Sequence, residues 1–171
     1  SSTHRPDNNG GHPDRQEGAM GFFSRSRTHT DPSTARTPRE LGEAGGYLAD
    51  HGYHPQAIQA WSRALHMLPA DDETAWWYFS CIADSAGELG DWVTEENCAQ
   101  HAIALGATDN PLVWYRLGQA RFETGRHAEA VDPFMSAYMI NGTDVFEGGE
   151  KYLTFLGAHM PLGSEALLHQ A

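Results

Sequence analysis

Two stretches of this chain repeat one another. Residues 41–69, LGEAGGYLADHGYHPQAIQAWSRALHMLP, align without a gap on residues 114–142, WYRLGQARFETGRHAEAVDPFMSAYMING. Gly52 falls on Gly125, His54 on His127, Ala57 on Ala130, Trp61 on Phe134 and Ala64 on Ala137. Each block reads as a helix, a tight turn at the glycine and a second helix. A unit this short cannot bury its apolar side alone, so a fold built from it stacks neighbouring units and closes the end with a cap.

Helix signals bound the units. Thr37-Pro38-Arg39-Glu40 supplies a capping threonine, a proline suited to the first turn, and a glutamate three residues after the cap. Asn110-Pro111 repeats the cap-then-proline signal, and Asp71 or Asp72 can cap the helix between. Gly52, Gly90, Gly125 and Gly142 punctuate the chain. No stretch alternates apolar and polar residues over strand length, so the body is expected to be all-α. Pro133 lies inside the second helix of the 114–142 block and predicts a kink or a late start there.

Spacing and residue size resemble the tetratricopeptide repeat, W-x2-L-G-x2-Y…A-x3-F…P. The 114–142 block matches with Trp114, Leu117, Gly118, Ala130 and Phe134, with Arg121 in place of the Tyr. The 41–69 block matches with Leu41, Ala44, Gly45, Leu48, Ala57, Trp61 and Pro69. A degenerate middle block puts Trp76 and Phe79 on the pattern, with Ser80 for the Gly and Ala83 for the Tyr. Its turn, DSAGELGDWV, reads about three residues longer than the others, with a second helix near 95–105. The resemblance implies an all-α, right-handed superhelical stack of about three helix-turn-helix repeats. Glu150 to His159 would follow as a capping helix after a break at Gly148-Gly149. Residues 1–36 read as a disordered N-terminal tail, 37–160 as the repeat domain with its cap, and 161–171 as an extension in which GSEALLHQ adds a short helical turn. Met20 reads as a plausible start, which would leave 1–19 upstream of the natural protein.

The run Trp76-Trp77-Tyr78-Phe79 would sweep most of the way round a helix. The repeat pattern turns Trp76 and Phe79 toward the core, sets Tyr78 on a flank facing the next repeat, and places Trp77 on the concave groove. The resemblance therefore implies a peptide-binding groove of Trp77, Cys81 and Asp84 from the middle repeat, with Tyr115, Gln119, Phe122 and Glu123 from the third. Gly42, Gly46, Ala49 and Asp50 leave its first end open. Two readings of the groove aromatics stand side by side: anchors for a ligand, or surfaces covered by Phe22-Phe23, the tail or the C-terminal helix. Some members of the family grip a C-terminal carboxylate with Lys and Asn, but Trp77 and Tyr115 stand where Lys would be wanted, and Lys151 is the only lysine.

Charge narrows the partners. Residues 1–36 carry five Arg against four acids, whereas 37–171 carry six basic residues against nineteen acids. Such a body repels nucleic acid and anionic membrane and favours a protein or peptide that is basic or bears aromatic or apolar anchors. No apolar run has membrane-spanning length and no signal-peptide pattern opens the chain, which reads as cytoplasmic. Cys81 and Cys98 read as free buried thiols, and His51, His54 and His127 as turn residues. No phosphate-binding glycine loop, nucleophile elbow or metal-protease motif occurs. No cofactor, metal or catalysis is therefore expected. The reading is a small tetratricopeptide adaptor of the kind common in bacteria. Its rivals are a dedicated chaperone or immunity-type partner for one client, like the three-repeat chaperones of type III secretion, and a self-assembling structural subunit.

Overall fold

A computed structural model describes residues 30–160, and these are all helix, turn and connection. Seven α-helices follow in order: α1 Pro38–Asp50, α2 His54–Met67, α3 Ala75–Leu89, α4 Trp92–Ala104, α5 Pro111–Glu123, α6 His127–Asn141 and α7 Glu150–His159. A 3-10 turn, Asp144–Phe146, lies between the last two. Each helix packs on the next, and α3 also meets α5, so α1/α2, α3/α4 and α5/α6 stack as three hairpins with α7 closing the end.

The punctuation works as the sequence indicates. The Thr37 hydroxyl accepts from the Glu40 amide at 3.2 Å, and the Glu40 carboxylate accepts from the Thr37 amide at 3.2 Å. Gly52 and Gly125 end the matching helices of the repeated blocks at φ 80° and 79°, which a side chain would disfavour. Gly45 and Gly118 have a different duty. A Cβ on either would enter the ring of Trp61 or Phe134, so the large residue of one helix fills the space its partner leaves empty.

Several expectations need correction. The middle hairpin has no long turn, because α3 runs on through Ala86 and Gly87 to Leu89, and only Gly90 and Asp91 separate it from α4. Gly90 adopts φ 70° and Asp91 accepts from the Thr94 amide, so α4 begins at Trp92, three residues before the expected start. Helix α3 in turn starts at Ala75. Asp72 shapes the approach by accepting from the Thr74 amide at 2.8 Å instead of capping the helix. Tyr78 points back to the first hairpin, not on to the next repeat; its hydroxyl donates to the Pro38 carbonyl at 3.0 Å and its ring is buried. Residues 30–36, expected within a disordered tail, are placed: Ala35 is buried with Leu41, Trp61 and Ala64, and the Pro32 carbonyl accepts from Arg63 Nη1 at 2.8 Å. The readings made for 1–29 and for GSEALLHQ lie outside the described residues.

Pro133 neither breaks α6 nor delays it. The helix is continuous from His127 to Asn141 and the proline is buried. The missing amide leaves the Glu129 carbonyl without its partner one turn on, and Arg121 Nη1 donates to that carbonyl at 3.2 Å.

Candidate peptide-binding groove

The inner stripe of α3 carries Trp77, Cys81, Asp84 and Glu88 at spacings of four, three and four residues, all on one helix face. Trp77 lies over α1. A Cβ on Gly42 would meet the Trp77 ring at 3.4 Å and the Tyr78 ring at 3.3 Å, so the missing side chain there seats both aromatics. The two rings meet edge to face with centroids 5.0 Å apart. One turn along α1, a Cβ on Gly46 would meet nothing within 4 Å. Trp77 is half-buried, as are Cys81 and Asp84. Burial pushes the Cys81 thiol far above its ordinary value, which makes it a packing group and not a nucleophile.

The groove is polar where α3 faces α5. Asp84 Oδ1 accepts from Arg116 Nε at 2.9 Å and Nη2 at 2.5 Å, and Glu88 accepts from Nη2 at 2.9 Å. Arg116 Nη1 donates to Gln119 Oε1 at 2.8 Å, Gln119 Nε2 donates to the Tyr152 hydroxyl at 3.0 Å, and that hydroxyl donates to Glu123 Oε1 at 2.6 Å. Lys151 completes the chain with an ion pair to Glu123. Burial pulls the Glu123 carboxyl upward, but Lys151 and Tyr152 outweigh it and hold the group below its ordinary value.

Behind Arg116 lies Glu95, which is fully buried. Neither of its carboxylate oxygens has a hydrogen-bond donor, and the Arg116 guanidinium approaches only to 3.9 Å. Burial is the main cause that pushes Glu95 up to about 8, against the pull of Arg116. Asp84, Glu88 and Gln119 already engage the guanidinium, which leaves Glu95 without a hydrogen bond from it. Glu95 is therefore largely a neutral carboxylic acid at pH 7. A Cβ on Gly87 would come within 2.6 Å of both Glu95 Oε1 and Arg116 Nη1, so this glycine admits the cluster to the face of α3.

The third repeat differs from the open groove read from the sequence. Tyr115 is 7% exposed. The rings of Phe146 and Tyr152 meet it edge to face at 5.6 and 5.7 Å, and its hydroxyl lies where a Cβ on Gly149 would stand. Burial pushes its hydroxyl up to about 12. Gln119 is buried as well. Phe122 and Glu123 are half-buried, with Tyr152 and Phe155 edge-on to the Phe122 ring at 5.2 and 5.1 Å. The structure thus brings Trp77, Cys81 and Asp84 together on an accessible face. It sets Tyr115, Gln119, Phe122 and Glu123 under or against α7 and the turn before it. Sequence reasoning missed Glu88, Glu95 and Arg116. The spacing of Glu88 from Asp84 was available as a signal, but nothing in the sequence distinguishes Glu95 from a solvated helix-end acid.

An apolar cleft of about 480 Å3 opens at the heads of α1 and α3. Pro38, Leu68, Trp76, Trp77 and Tyr78 line it, with Thr37, Arg39 and Thr74 at its polar edge. Among the described residues no group of His, Cys, Asp and Glu is arranged to hold a metal ion, and no helix is long and apolar enough to cross a membrane.

No protein-family model matches the sequence, and no curated protein matches it. Solved structures do. The Arabidopsis OM64 TPR domain superposes with a TM-score of 0.59 at 20% identity, over 72% of this chain and 97% of that one. The first TPR of Spaghetti (RPAP3), bound to the HSP90 peptide SRMEEVD, gives a TM-score of 0.60 at 19% identity, over 77% and 97%. MamA gives 0.59 at 18% identity, over 74% and 68%. This chain has the tetratricopeptide-repeat fold. At such identities the likeness carries the architecture of the tetratricopeptide stack and leaves its ligand to the residues of the groove.

Proposed function

We propose that this chain is a protein-interaction adaptor, working in the cytoplasm, that binds an extended segment of another protein on the concave side of its first two hairpins. The observation that carries the reading is the half-buried Trp77, seated on Gly42 beside the open space at Gly46 and followed along one helix face by Asp84 and Glu88. A flat aromatic floor with room above it suits an apolar or aromatic anchor. The side chains of Asp84 and Glu88 are 43% and 52% exposed although they hold Arg116, so the rim keeps acceptors for a basic residue of the ligand.

The same rim argues against an acidic ligand such as SRMEEVD, the peptide bound by the RPAP3 repeat. The nearest cation, Arg116, is already held by two carboxylates. Buried and engaged, it offers no counter-charge to an incoming one.

Selection of peptides from a displayed library on the full chain tests the reading. Enrichment of sequences pairing an aromatic or large apolar residue with Arg or Lys is expected. Trp77→Ala, and separately Asp84→Asn with Glu88→Gln, should lose them. Enrichment of acidic sequences, or of sequences indifferent to all three substitutions, would sink it. Recovery of a single client at fixed stoichiometry from native extract would narrow the role to a dedicated chaperone, and self-association growing with concentration would favour a structural subunit.

A further inference from the structure

The cleft at the heads of α1 and α3 shares Trp77 with the groove but does not include Gly46. Its volume of about 480 Å3 falls in the range of roughly 300–1,000 Å3 typical of ligand pockets. Its walls are a proline, a leucine and three aromatic rings. Leu68 and Thr74 line it, and the loop joining them carries Asp71, Asp72 and Glu73. The cleft is thus an apolar hollow whose bordering loop is acidic. Its own cation, Arg39, is paired with Glu43 at 3.1 Å.

The chain itself carries the complement. Residues 20–27 read Met-Gly-Phe-Phe-Ser-Arg-Ser-Arg, two adjacent phenylalanines followed by two arginines, with no acid among them. Residues 1–29 lie outside the described structure, and the described chain starts one short segment before the cleft, since Thr37 and Pro38 are themselves lining residues. Residues 30–36 are themselves placed, with the Pro32 carbonyl held by Arg63, so the free tether is the six residues between Phe23 and Thr30. Fully extended, that stretch spans about 23–25 Å, the reach available for a return to the cleft. The order also fits. The arginines stand nearer the tether than the phenylalanines, so the rings can enter while Arg25 and Arg27 remain at the acidic loop.

We propose that this cleft is the docking site for the chain's own segment 20–27, with Phe22 and Phe23 between Leu68 and the three aromatic rings and Arg25 and Arg27 facing Asp71, Asp72 and Glu73. Burying phenylalanine rings against aromatic walls drives the contact, and the exposed charge pairs set its direction. Because Trp77 borders both sites, the docked segment narrows the approach to the groove, and a peptide anchored on Trp77 competes with it. The docking stands whether or not the groove binds an outside peptide.

The test uses the full chain with the photocrosslinker p-benzoylphenylalanine in place of Phe23, irradiated in dilute solution and mapped by mass spectrometry. A cross-link at monomer mass, within 37–39, 68 or 74–78, is expected. Asp71→Lys with Glu73→Lys, on a chain whose helicity is unchanged by circular dichroism, should lower its yield about fivefold, the effect of two exposed charge pairs. A cross-link at dimer mass, a cross-link elsewhere in the chain, no cross-link, or a yield indifferent to the charge reversal would each overturn the proposal.

Discussion

Arg121 repairs the helix that Pro133 damages. Its Nη1 donates at 3.2 Å to the Glu129 carbonyl, the one acceptor in α6 that the proline leaves without an amide. Arg121 stands where the repeat pattern has tyrosine, and its Nε also reaches Glu96 Oε1 at 3.2 Å. Departure from the pattern and tolerance of the proline are therefore linked. Arg121→Ala should cost about 1–2 kcal/mol, because it removes this exposed hydrogen bond together with the contact to Glu96. In a Pro133→Ala background the restored amide serves that carbonyl, so the same substitution should cost about 0.5 kcal/mol less. Urea unfolding of the four proteins in the cycle measures the coupling. A coupling of zero would detach Arg121 from the proline.

Glu95 sets a pH dependence of known sign. Its folded value of about 8 lies above its ordinary 4.5. The folded chain therefore holds a proton that the unfolded chain releases. The stability this supplies is fully present below about pH 4.5 and is lost as pH rises through about 8. Asp84, Glu88 and Glu123 reinforce the shift and Arg116 opposes it. Glu96 and Glu123 shift the other way, so the wild-type curve alone mixes signs. The difference between wild type and Glu95→Gln isolates the term. From pH 5 to pH 8.5 the wild type should lose on the order of 3 kcal/mol relative to the variant. Parallel stability curves for the two proteins would mean that Glu95 is ionised in place.

Much of the scaffold is legible in the sequence, because it rests on short-range chemistry repeated twice. The Thr37 capping box, the turns at Gly52 and Gly125, and the glycine-to-ring contacts of Gly45 with Trp61 and Gly118 with Phe134 all follow from residue type and spacing. The middle hairpin departs from its reading because Trp76 resembles the pattern's Trp but stands three residues out of register: Ala83 against Ala99, and not Ser80, takes the place of Gly118 against Phe134, while Gly87 is a helical glycine making room for Arg116 and Glu95. The groove was half legible. Spacing placed Trp77, Cys81 and Asp84 on one face, but it could not show that the segment around Gly149 returns over Tyr115. Contacts between residues so distant in sequence leave no periodic trace.

The helical glycines separate by what stands over them. A Cβ on Gly118 would lie 2.5 Å from the buried Phe134 ring, so Gly118→Ala should cost about 1–3 kcal/mol despite alanine's better helix propensity. A Cβ on Gly46 meets nothing within 4 Å, so Gly46→Ala should stabilise α1 by about 0.5–1 kcal/mol. Thermal unfolding gives both signs. If Gly46→Ala destabilises, the space over that residue is already occupied in solution.

Trp77 and Tyr115 lie on the first helices of successive hairpins, thirteen and ten residues before the turn glycines Gly90 and Gly125, and they should answer differently to truncation. Tyr115 is enclosed by Phe134, Phe146 and Tyr152, and Tyr115→Ala would open a cavity inside the third hairpin. A loss of roughly 3–5 kcal/mol is expected, with any loss of binding following from it. Trp77 is half-buried and lines the open cleft at the head of α3, so Trp77→Ala should cost less stability and more affinity. For a library-selected peptide, isothermal titration should show at least a tenfold weaker Kd for Trp77→Ala, about 1.4 kcal/mol, on a protein that still unfolds cooperatively. Tyr115→Phe keeps the buried ring and should leave that Kd unchanged. If Tyr115→Phe weakens binding as much as Trp77→Ala does, the ligand reaches under α7 and the groove extends into the third repeat.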